Sequence, residues 1–186
     1  MTPLSPRRDP DAFLDALRPH YDDALRYCRA LCASWSPGEA EDVFQSALLR
    51  ALEQHRRLRD PGQFRAWFFR ILTRTFYSAV RRHRVRRVLP LPTEREAEAL
   101  GLYAEADAPG EAADLLAVLG RLHPKERAAL LLYEVAGFSV ADVARIQGDR
   151  SPSAVKSRLS RARARARAVG EHLGLSDPPE PVPAAA

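Results

Sequence analysis

The sequence signals the start of an α-helix repeatedly, and this pattern limits the possible fold more than any other feature. In SPGE, Ser36 suits the N-cap, Pro37 suits the first helical position and Glu39 completes a capping box. Similar signals recur in three later segments, namely DPGQ at 60–63, SVAD at 139–142 and SP at 151–152. Because convincing strand signals are absent, the sequence predicts an all-α fold.

Apolar residues at spacings of three and four predict where these helices run. The first segment is expected to kink at Pro19, and the predicted helical segments are 11–34, 37–54, 60–88, 112–122, 124–136, 140–147 and 152–173. Residues 89–110 contain three prolines, two glycines and no sustained period, which indicates a linker. The sequence therefore predicts two small helical domains, 10–88 and 111–173, joined by a flexible linker at 89–110 and followed by a disordered tail at 174–186.

The charges are arranged in blocks that the formal net charge of +5 conceals. Residues 64–88 hold eight arginines and no acid, and residues 150–170 hold seven cations and no acid. Residues 93–114, between them, carry seven acids against one arginine. Ordinary solvated helix faces usually mix both signs, so two separate basic surfaces favour a polyanionic partner that is contacted at two places.

Arginine and alanine alternate in the second basic block, SPSAVKSRLSRARARARAVG, as residues might in a strand. An apolar stripe at helical spacing nevertheless predicts a helix, because it continues through Val155, Leu159, Ala162, Ala166, Val169 and Leu173. The capped segment and tight turn before it complete a helix-turn-helix pattern, whose second helix enters the major groove by its N-terminal half. This places Ser153, Lys156, Ser157 and Arg158 toward base edges, and Arg161, Arg163 and Arg165 toward phosphates.

The first basic block interleaves arginines with aromatic residues in FRAWFFRILTRTFYSAVRR. Most of the aromatic side chains belong to the core, because Phe64, Trp67, Phe68, Ile71 and Leu72 form one stripe. A helix in a small domain cannot bury its whole circumference, so one or two aromatic rings are expected to face a ligand. Aromatic rings among cations suit stacking on unpaired bases.

Three segments together resemble the bacterial extracytoplasmic-function sigma factors, which are initiation subunits of RNA polymerase: EAEDVFQSALLRAL, FRAWFFRIL and AVKSRLSRARARAR. The resemblance covers 10–88, as the family's region two, and 111–170, as region four. It implies that Glu41, Asp42 and Gln45 dock on the clamp coiled coil of the polymerase's largest subunit. The alternative for these three is the ordinary acidic first turn of a helix, which its dipole favours.

The resemblance also implies that the loop HRRLRDPGQ captures a base flipped from the melting −10 element, and that the helix after it supports melting. The residues nominated for the −10 element are Arg59, Gln63, Arg65, Trp67, Arg70, Arg74, Tyr77, Ser78 and Arg81. The last helix would read the −35 element. Here Arg74 and Ser78 replace the family's common Asn and Asp, and the turn GDRSPSAVK is one residue longer than the frequent form. The implied partners are core RNA polymerase, promoter DNA and an anti-sigma factor.

Two other functions remain open from the sequence. A helix-turn-helix transcription regulator that does not engage polymerase would leave the EAEDVFQ helix without a role. A nucleic-acid-processing enzyme is disfavoured, because no carboxylate cluster or phosphate-binding glycine loop is visible. Cys28 and Cys32, with His20 two turns earlier, could bind a metal but fit core positions better, so no metal or cofactor is expected. Without a signal peptide or an apolar span, the chain is expected in the cytoplasm, with no membrane insertion.

Overall fold

The computed structural model describes residues 10–88 and 110–175, and every regular element in these two ranges is helical. The first half contains four α-helices: α1 (Pro10–Leu17), α2 (Tyr21–Leu31), α3 (Pro37–Gln54) and α4 (Phe64–Val88). The second half contains four more: α5 (Glu111–Arg121), α6 (Pro124–Leu130), α7 (Val140–Gln147) and α8 (Pro152–His172). The all-α prediction is confirmed. Of the predicted linker only Gly110 is described, and the predicted tail lies outside the described residues from 176 onward.

The predicted helix starts are confirmed in the first half. Ser36 and Glu39 form the complete capping box, with the Glu39 amide donating to Ser36 Oγ over 3.3 Å and the Ser36 amide donating to Glu39 Oε2 over 3.0 Å. Pro19 lies in a short 3₁₀ turn (Arg18–His20) that separates α1 from α2. Asp60 Oδ1 accepts a hydrogen bond from Gly62, but a 3₁₀ turn (Pro61–Gln63) follows it, so α4 itself begins at Phe64. These caps fix the start of α3 and of the turn before α4.

The second half contains the predicted helix-turn-helix. Gly148 adopts a left-handed conformation (φ 73°), which ends α7, and Ser151 Oγ accepts from the Ala154 amide to begin α8. The predicted apolar stripe of α8 is buried at Val155, Leu159 and Ala162, and only partly buried at Ala166, Val169 and Leu173. The predicted helix 124–136 differs in its second part: a π-helical turn (Leu131–Val135) follows α6.

The two halves pack against each other and share one hydrophobic core. The Phe69 ring of α4 meets the Phe138 ring edge to face, with 5.1 Å between the ring centroids. Arg127 of α6 donates from Nη1 to the carbonyl oxygen of Leu31 over 2.5 Å. The helix-turn-helix thus lies beside α4 rather than apart from it, with α7 against α4.

Candidate DNA-binding and docking surfaces

One row of side chains runs along the solvent face of α4 and the turn before it. Its members follow one another at helical spacings of three and four, and they are Gln63, Trp67, Arg70, Arg74, Ser78 and Arg81. We call this set the α4 row. Ser78 Oγ accepts a hydrogen bond from Arg81 over 3.0 Å and donates one to the Arg74 carbonyl. These bonds orient the Arg81 side chain. Burial, and then repulsion from the Arg74 charge, lowers the pKa of Arg70. Six of the nine residues predicted for the −10 element therefore share one face.

Two of the other predicted residues, Arg65 and Tyr77, face the second half of the chain. The Arg65 guanidinium lies over the Phe138 ring, 4.3 Å from its centroid, and donates to the Ala136 carbonyl. Tyr77 Oη accepts from Gln147 Nε2 over 3.0 Å. Burial raises the pKa of the Tyr77 phenol. In this arrangement both side chains contact the second half of the chain and are only partly exposed.

The end of the α4 row nearest the loop is aromatic. Trp67 is half-buried beside Phe64, with 5.6 Å between the ring centroids, and lies 6.2 Å from the His55 ring. Arg59 and Gln63 are exposed in the adjoining loop and turn. A partly exposed indole ring can stack on an unpaired base, and an exposed cation and amide in the preceding loop and turn can contact its phosphate.

The outward face of α8 is polar and exposed. Ser153, Lys156 and Ser157 lie on this face, opposite the buried Val155 and Leu159. Sequence reasoning missed Ser160, which is exposed one turn after Ser157 and was detectable from that spacing. This face carries hydrogen-bond donors and acceptors of the kind that read base edges in the major groove.

Arg158 lies on a different side of α8 and is held by the turn. Its guanidinium makes a two-pronged ion pair with Asp149, including Nη2 to Oδ1 at 2.9 Å, and also donates to Gln147 Oε1. The Arg158 and Asp149 side chains are only 12% and 13% exposed. Their hydrogen bond raises the pKa of Arg158 and lowers that of Asp149. In this arrangement Arg158 braces the helix-turn-helix.

Farther along α8, the predicted phosphate contacts are paired with carboxylates. Arg163 reaches Glu134 Oε1 at 2.5 Å, and Arg165 reaches Glu126 Oε2 at 2.6 Å. Arg161 is a looser partner of Glu126, at 3.9 Å. All three arginine side chains remain 45% exposed or more, so a phosphate can reach each guanidinium. Only the Arg163–Glu134 pair is of the weak surface kind, because the Glu126 side chain is 10% exposed.

The predicted docking residues lie together at the start of α3. Glu41, Asp42 and Gln45 are all exposed, while Val43 and Phe44 between them are buried. One turn later an apolar groove of about 670 Å³ opens between α1, α2 and α3, lined by Pro10, Phe13, Leu14, Leu17, Arg18, Tyr21, Asp22, Leu48, Leu49 and Leu52. Of the five large apolar side chains exposed among the described residues, Leu14, Tyr21 and Leu49 line this groove. Apolar exposure concentrated in this way marks an interaction surface.

The cysteines are core residues, as predicted. Cys28 and Cys32 are buried free thiols, and Cys28 Sγ donates to the Ala40 carbonyl over 3.6 Å. The hydrogen bond to Cys28, together with burial, raises the pKa of the Cys32 thiol. Within the described ranges no three His, Cys, Asp or Glu side chains form a group that could hold a metal ion. No helix in those ranges is long and apolar enough to cross a membrane.

Proteins of known family share this sequence pattern and this fold. Residues 16–86 match the family Sigma-70 region 2, and residues 112–165 match the family Sigma-70, region 4. The chain is 34% identical over 165 residues to the ECF RNA polymerase sigma factor EcfG of Rhodopseudomonas palustris (strain TIE-1). The aligned region covers 83% of this chain and 85% of that protein. It is 31% identical over 163 residues to the ECF RNA polymerase sigma factor SigM of Mycobacterium tuberculosis (strain ATCC 25618 / H37Rv), covering 86% and 78% respectively.

The fold is similar to that of the sigma factor RpoE from Bartonella quintana, solved in complex with the anti-sigma factor NepR. The TM-score is 0.67 at 26% identity, and the match covers 89% of this chain and 99% of that one.

Proposed function

Because this chain belongs to the ECF RNA polymerase sigma factors, we propose that it directs core RNA polymerase to promoters through three surfaces: the start of α3, the α4 row and the outward face of α8. The exposed face of α3 carries this proposal. A regulator that acted through its helix-turn-helix alone would not need a surface in the other half of the chain that combines exposed acidic residues with an apolar groove.

The α3 surface is the docking site for core polymerase. Glu41, Asp42 and Gln45 present two carboxylates and an amide, which suit a basic partner helix. The groove ending at Leu49 continues the same surface and offers apolar area to be buried. Charge steers the encounter and apolar burial holds the complex, so the two parts have complementary roles.

The α4 row is the surface for the −10 element. Arg70, Arg74 and Arg81 neutralise phosphates, and Trp67, with Arg59 and Gln63 beside it, receives an unpaired base. Stacking on an aromatic ring is worth about 1–3 kcal/mol per base, which is enough to offset part of the cost of unstacking it from the duplex. Arg65 and Tyr77, which contact the second half of the chain, are left out of this surface.

The outward face of α8 is the surface for the −35 element. Ser153, Lys156 and Ser157 contact base edges, and the exposed guanidinium groups of Arg161, Arg163 and Arg165 contact phosphates. Arg158 positions the helix through Asp149, and it reaches a base only if that ion pair opens.

The partners follow from these surfaces. The chain binds core polymerase and promoter DNA in the cytoplasm and performs no catalysis of its own, since the polymerase supplies the chemistry. RpoE, which shares this fold, was solved with the anti-sigma factor NepR, and we propose that a protein of the same class controls this chain.

Co-elution with core polymerase on a size-exclusion column tests the proposed function. We expect a complex that survives dilution to nanomolar concentration and that is lost with Asp42→Arg. The matched control is Asp114→Arg, the same change on exposed α5 of the second half. A chain that never co-elutes but binds duplex DNA by itself would instead be a simple helix-turn-helix regulator.

A further inference from the structure

One flank of α8 carries a row of cations next to the residues proposed to read base edges. Lys156, Ser160, Arg163 and Arg167 follow one another at spacings of four, three and four, and all four are exposed. Because a helix rises about 1.5 Å per residue, Arg163 lies about 10 Å beyond Lys156 along the helix axis. A duplex whose bases are read near Lys156 is therefore expected to bring its backbone past Arg163.

Arg163 differs from the other cations of this row because two neighbouring side chains hold its guanidinium. Nε and Nη2 donate to Oε1 of Glu134 over 2.9 and 2.5 Å. The guanidinium also lies over the Tyr133 ring, 5.6 Å from its centroid. A guanidinium has five N–H donors, so three remain for a phosphate while Glu134 is still bound. Arg167, one turn later, has no carboxylate partner among the described residues.

Both holding residues belong to the π-helical turn Leu131–Val135 that follows α6. The Ala136 amide closes this turn by donating to the Leu131 carbonyl over 2.9 Å. Tyr133 packs against the core, while Glu134 is exposed. Single π-helical turns occur frequently at functional sites. The core thus sets the position of the Glu134 carboxylate, and α8 is not required to do so.

The carboxylate on the opposite flank of α8 is a different case. Glu126 accepts from Arg165 over 2.6 Å and lies 3.9 Å from Arg161 Nε. Its side chain is only 10% exposed, so leaving it without a cation would be costly. The Glu134 side chain is 31% exposed, and its exposed ion pair is worth at most about five-fold in an equilibrium constant. Of the two carboxylates, Glu134 is therefore the one that can release its arginine.

A cation that is held in place contacts DNA differently from a free one. In a sequence-independent complex the duplex has no fixed register, and phosphates provide the contacts. There Arg163 must leave Glu134 to reach a phosphate that lies elsewhere. In the cognate complex the base contacts fix the register, so one phosphate can occupy the free side of the guanidinium while the ion pair stays intact. The cost of breaking the pair then applies to unrelated DNA alone.

We propose that Glu134 is a specificity-determining residue, which holds Arg163 for a phosphate of the cognate −35 duplex and lowers the affinity of α8 for unrelated DNA. This inference rests on the proposed function and adds a residue that sets its selectivity. Glu134 is a positioning residue that acts through Arg163, since a carboxylate that touched the duplex itself would be repelled by the phosphates.

Glu134→Gln tests the inference, because it removes the charge and keeps the size of the side chain. Affinities of the full chain are measured across a salt series for two duplexes, one with the −35 block of mapped start sites and one with the same bases in shuffled order. We expect the variant to bind the shuffled duplex about three- to five-fold more tightly. The salt slope for that duplex should steepen by about 0.9, because Arg163 is free to neutralise one more phosphate.

The affinity for the cognate duplex should stay within about 1.5-fold of the parent's, since the ion pair is kept in that complex. The matched control is Asp114→Asn, which removes one exposed acidic charge on α5. It should change the two affinities little and by the same factor.

Removing Arg163 shows whether the effect passes through this residue. In the Arg163→Ala background, Glu134→Gln should no longer raise the affinity for shuffled DNA. In the Arg167→Ala background the gain should persist, because Arg167 lies in the same row without a carboxylate partner in the described part of the chain.

An equal gain on both duplexes, or a gain that persists without Arg163, would be a general charge effect and would overturn the inference. A loss on both duplexes would overturn it as well, because Glu134 would then only stabilise α8. If the parent chain itself shows no preference for the −35 duplex, the proposed −35 recognition fails, which is a different result.

The same comparison is made with the chain bound to core polymerase, in case the free chain binds either duplex too weakly to measure. Shuffled duplex is titrated as a competitor against a fixed promoter template. We expect the Glu134→Gln complex to lose half of its specific transcript at about three-fold less competitor than the parent complex requires. An unchanged competitor requirement would contradict the inference.

Discussion

Arg127 and Leu31 are 96 positions apart in the sequence, yet the guanidinium of the first donates to the backbone carbonyl of the second over 2.5 Å. Leu31 is the last residue of α2, so the bond ties the second half to a helix terminus of the first. Burial lowers the pKa of Arg127, as expected for a cation that has carbonyl oxygens and no carboxylate as its hydrogen-bond partners. The two halves are therefore coupled energetically and not only by the chain between them.

Arg127→Met is predicted to uncouple the unfolding of the two halves. A hydrogen bond from a charged donor contributes about 1.5–3 kcal/mol, and the substitution removes the one to Leu31, which crosses the interface. Both tryptophans, Trp35 and Trp67, lie in the first half, so their fluorescence follows that half while circular dichroism follows all helices. We expect the two thermal transitions to coincide in the parent and to separate in the variant.

The matched control for that substitution is Arg121→Met, which removes an exposed arginine in the same half. Its two transitions should still coincide. If Arg127→Met also leaves them coincident, with an unchanged midpoint, Arg127 does not couple the halves.

The helices could be predicted from the sequence because their signals are local. A cap such as Ser36 with Glu39 lies within one turn, and the stripe through Val155 and Leu159 reflects one helical period. The packing of the halves could not be predicted, because Phe69 and Phe138 show no periodicity that relates them. On α4, Phe69 packs against the other half of the chain, whereas Trp67 remains partly exposed.

The candidate site, like the fold, could be predicted only where it depends on a single helix. The family resemblance nominated the residues of the α4 row, and the helix-turn-helix pattern predicted the outward face of α8. Arg158 shows where this reasoning stops. Its position one residue before Leu159 puts it at the edge of the buried stripe, and only the folded turn brings Asp149 against it. Sequence alone cannot distinguish a cation that is already paired from one that is free to bind DNA.

Lys156→Ala and Arg167→Ala are predicted to affect DNA binding differently. Lys156 is exposed on the outward face near the start of α8, so its loss should weaken binding to the cognate −35 duplex more than to random duplex, by about 1–3 kcal/mol if it makes two bonds to a guanine. Arg167 lies three turns later, where phosphate contact is expected. Its loss should weaken both duplexes equally and make the salt dependence shallower.

Affinities for the two duplexes across a salt series, for both variants and the parent, check this prediction. If Lys156→Ala lowers the affinity for cognate and random duplex by the same factor, α8 binds DNA without recognising its sequence.

Asp149→Asn is predicted to reduce the free energy of unfolding in a pH-dependent way. Breaking a largely buried ion pair costs up to about 3 kcal/mol. The pKa of Asp149 is below its ordinary value because of Arg158, so its contribution is complete above about pH 4, the value of the unfolded carboxyl, and is lost as pH falls through the lower folded value. The difference between parent and variant should be constant from pH 7 to 5 and should shrink below pH 4.

Urea unfolding at a series of pH values measures this difference. The control is Asp23→Asn, which breaks an exposed pair with Arg26 and should cost about 1 kcal/mol or less. A difference for Asp149→Asn that is already declining between pH 7 and 5, or no greater than the control's, would contradict the bracing role of the Asp149–Arg158 pair.

The most direct test of sigma activity is to sequence the 5′ ends of transcripts that core polymerase makes, with and without this chain, from the genomic DNA of the organism that encodes it. We expect new start sites that share two sequence blocks, about 10 and about 35 base pairs upstream. Asp42→Arg should abolish these starts, because the polymerase contact is lost, whereas Asp114→Arg should preserve them. Start sites identical to those of core polymerase alone would contradict it.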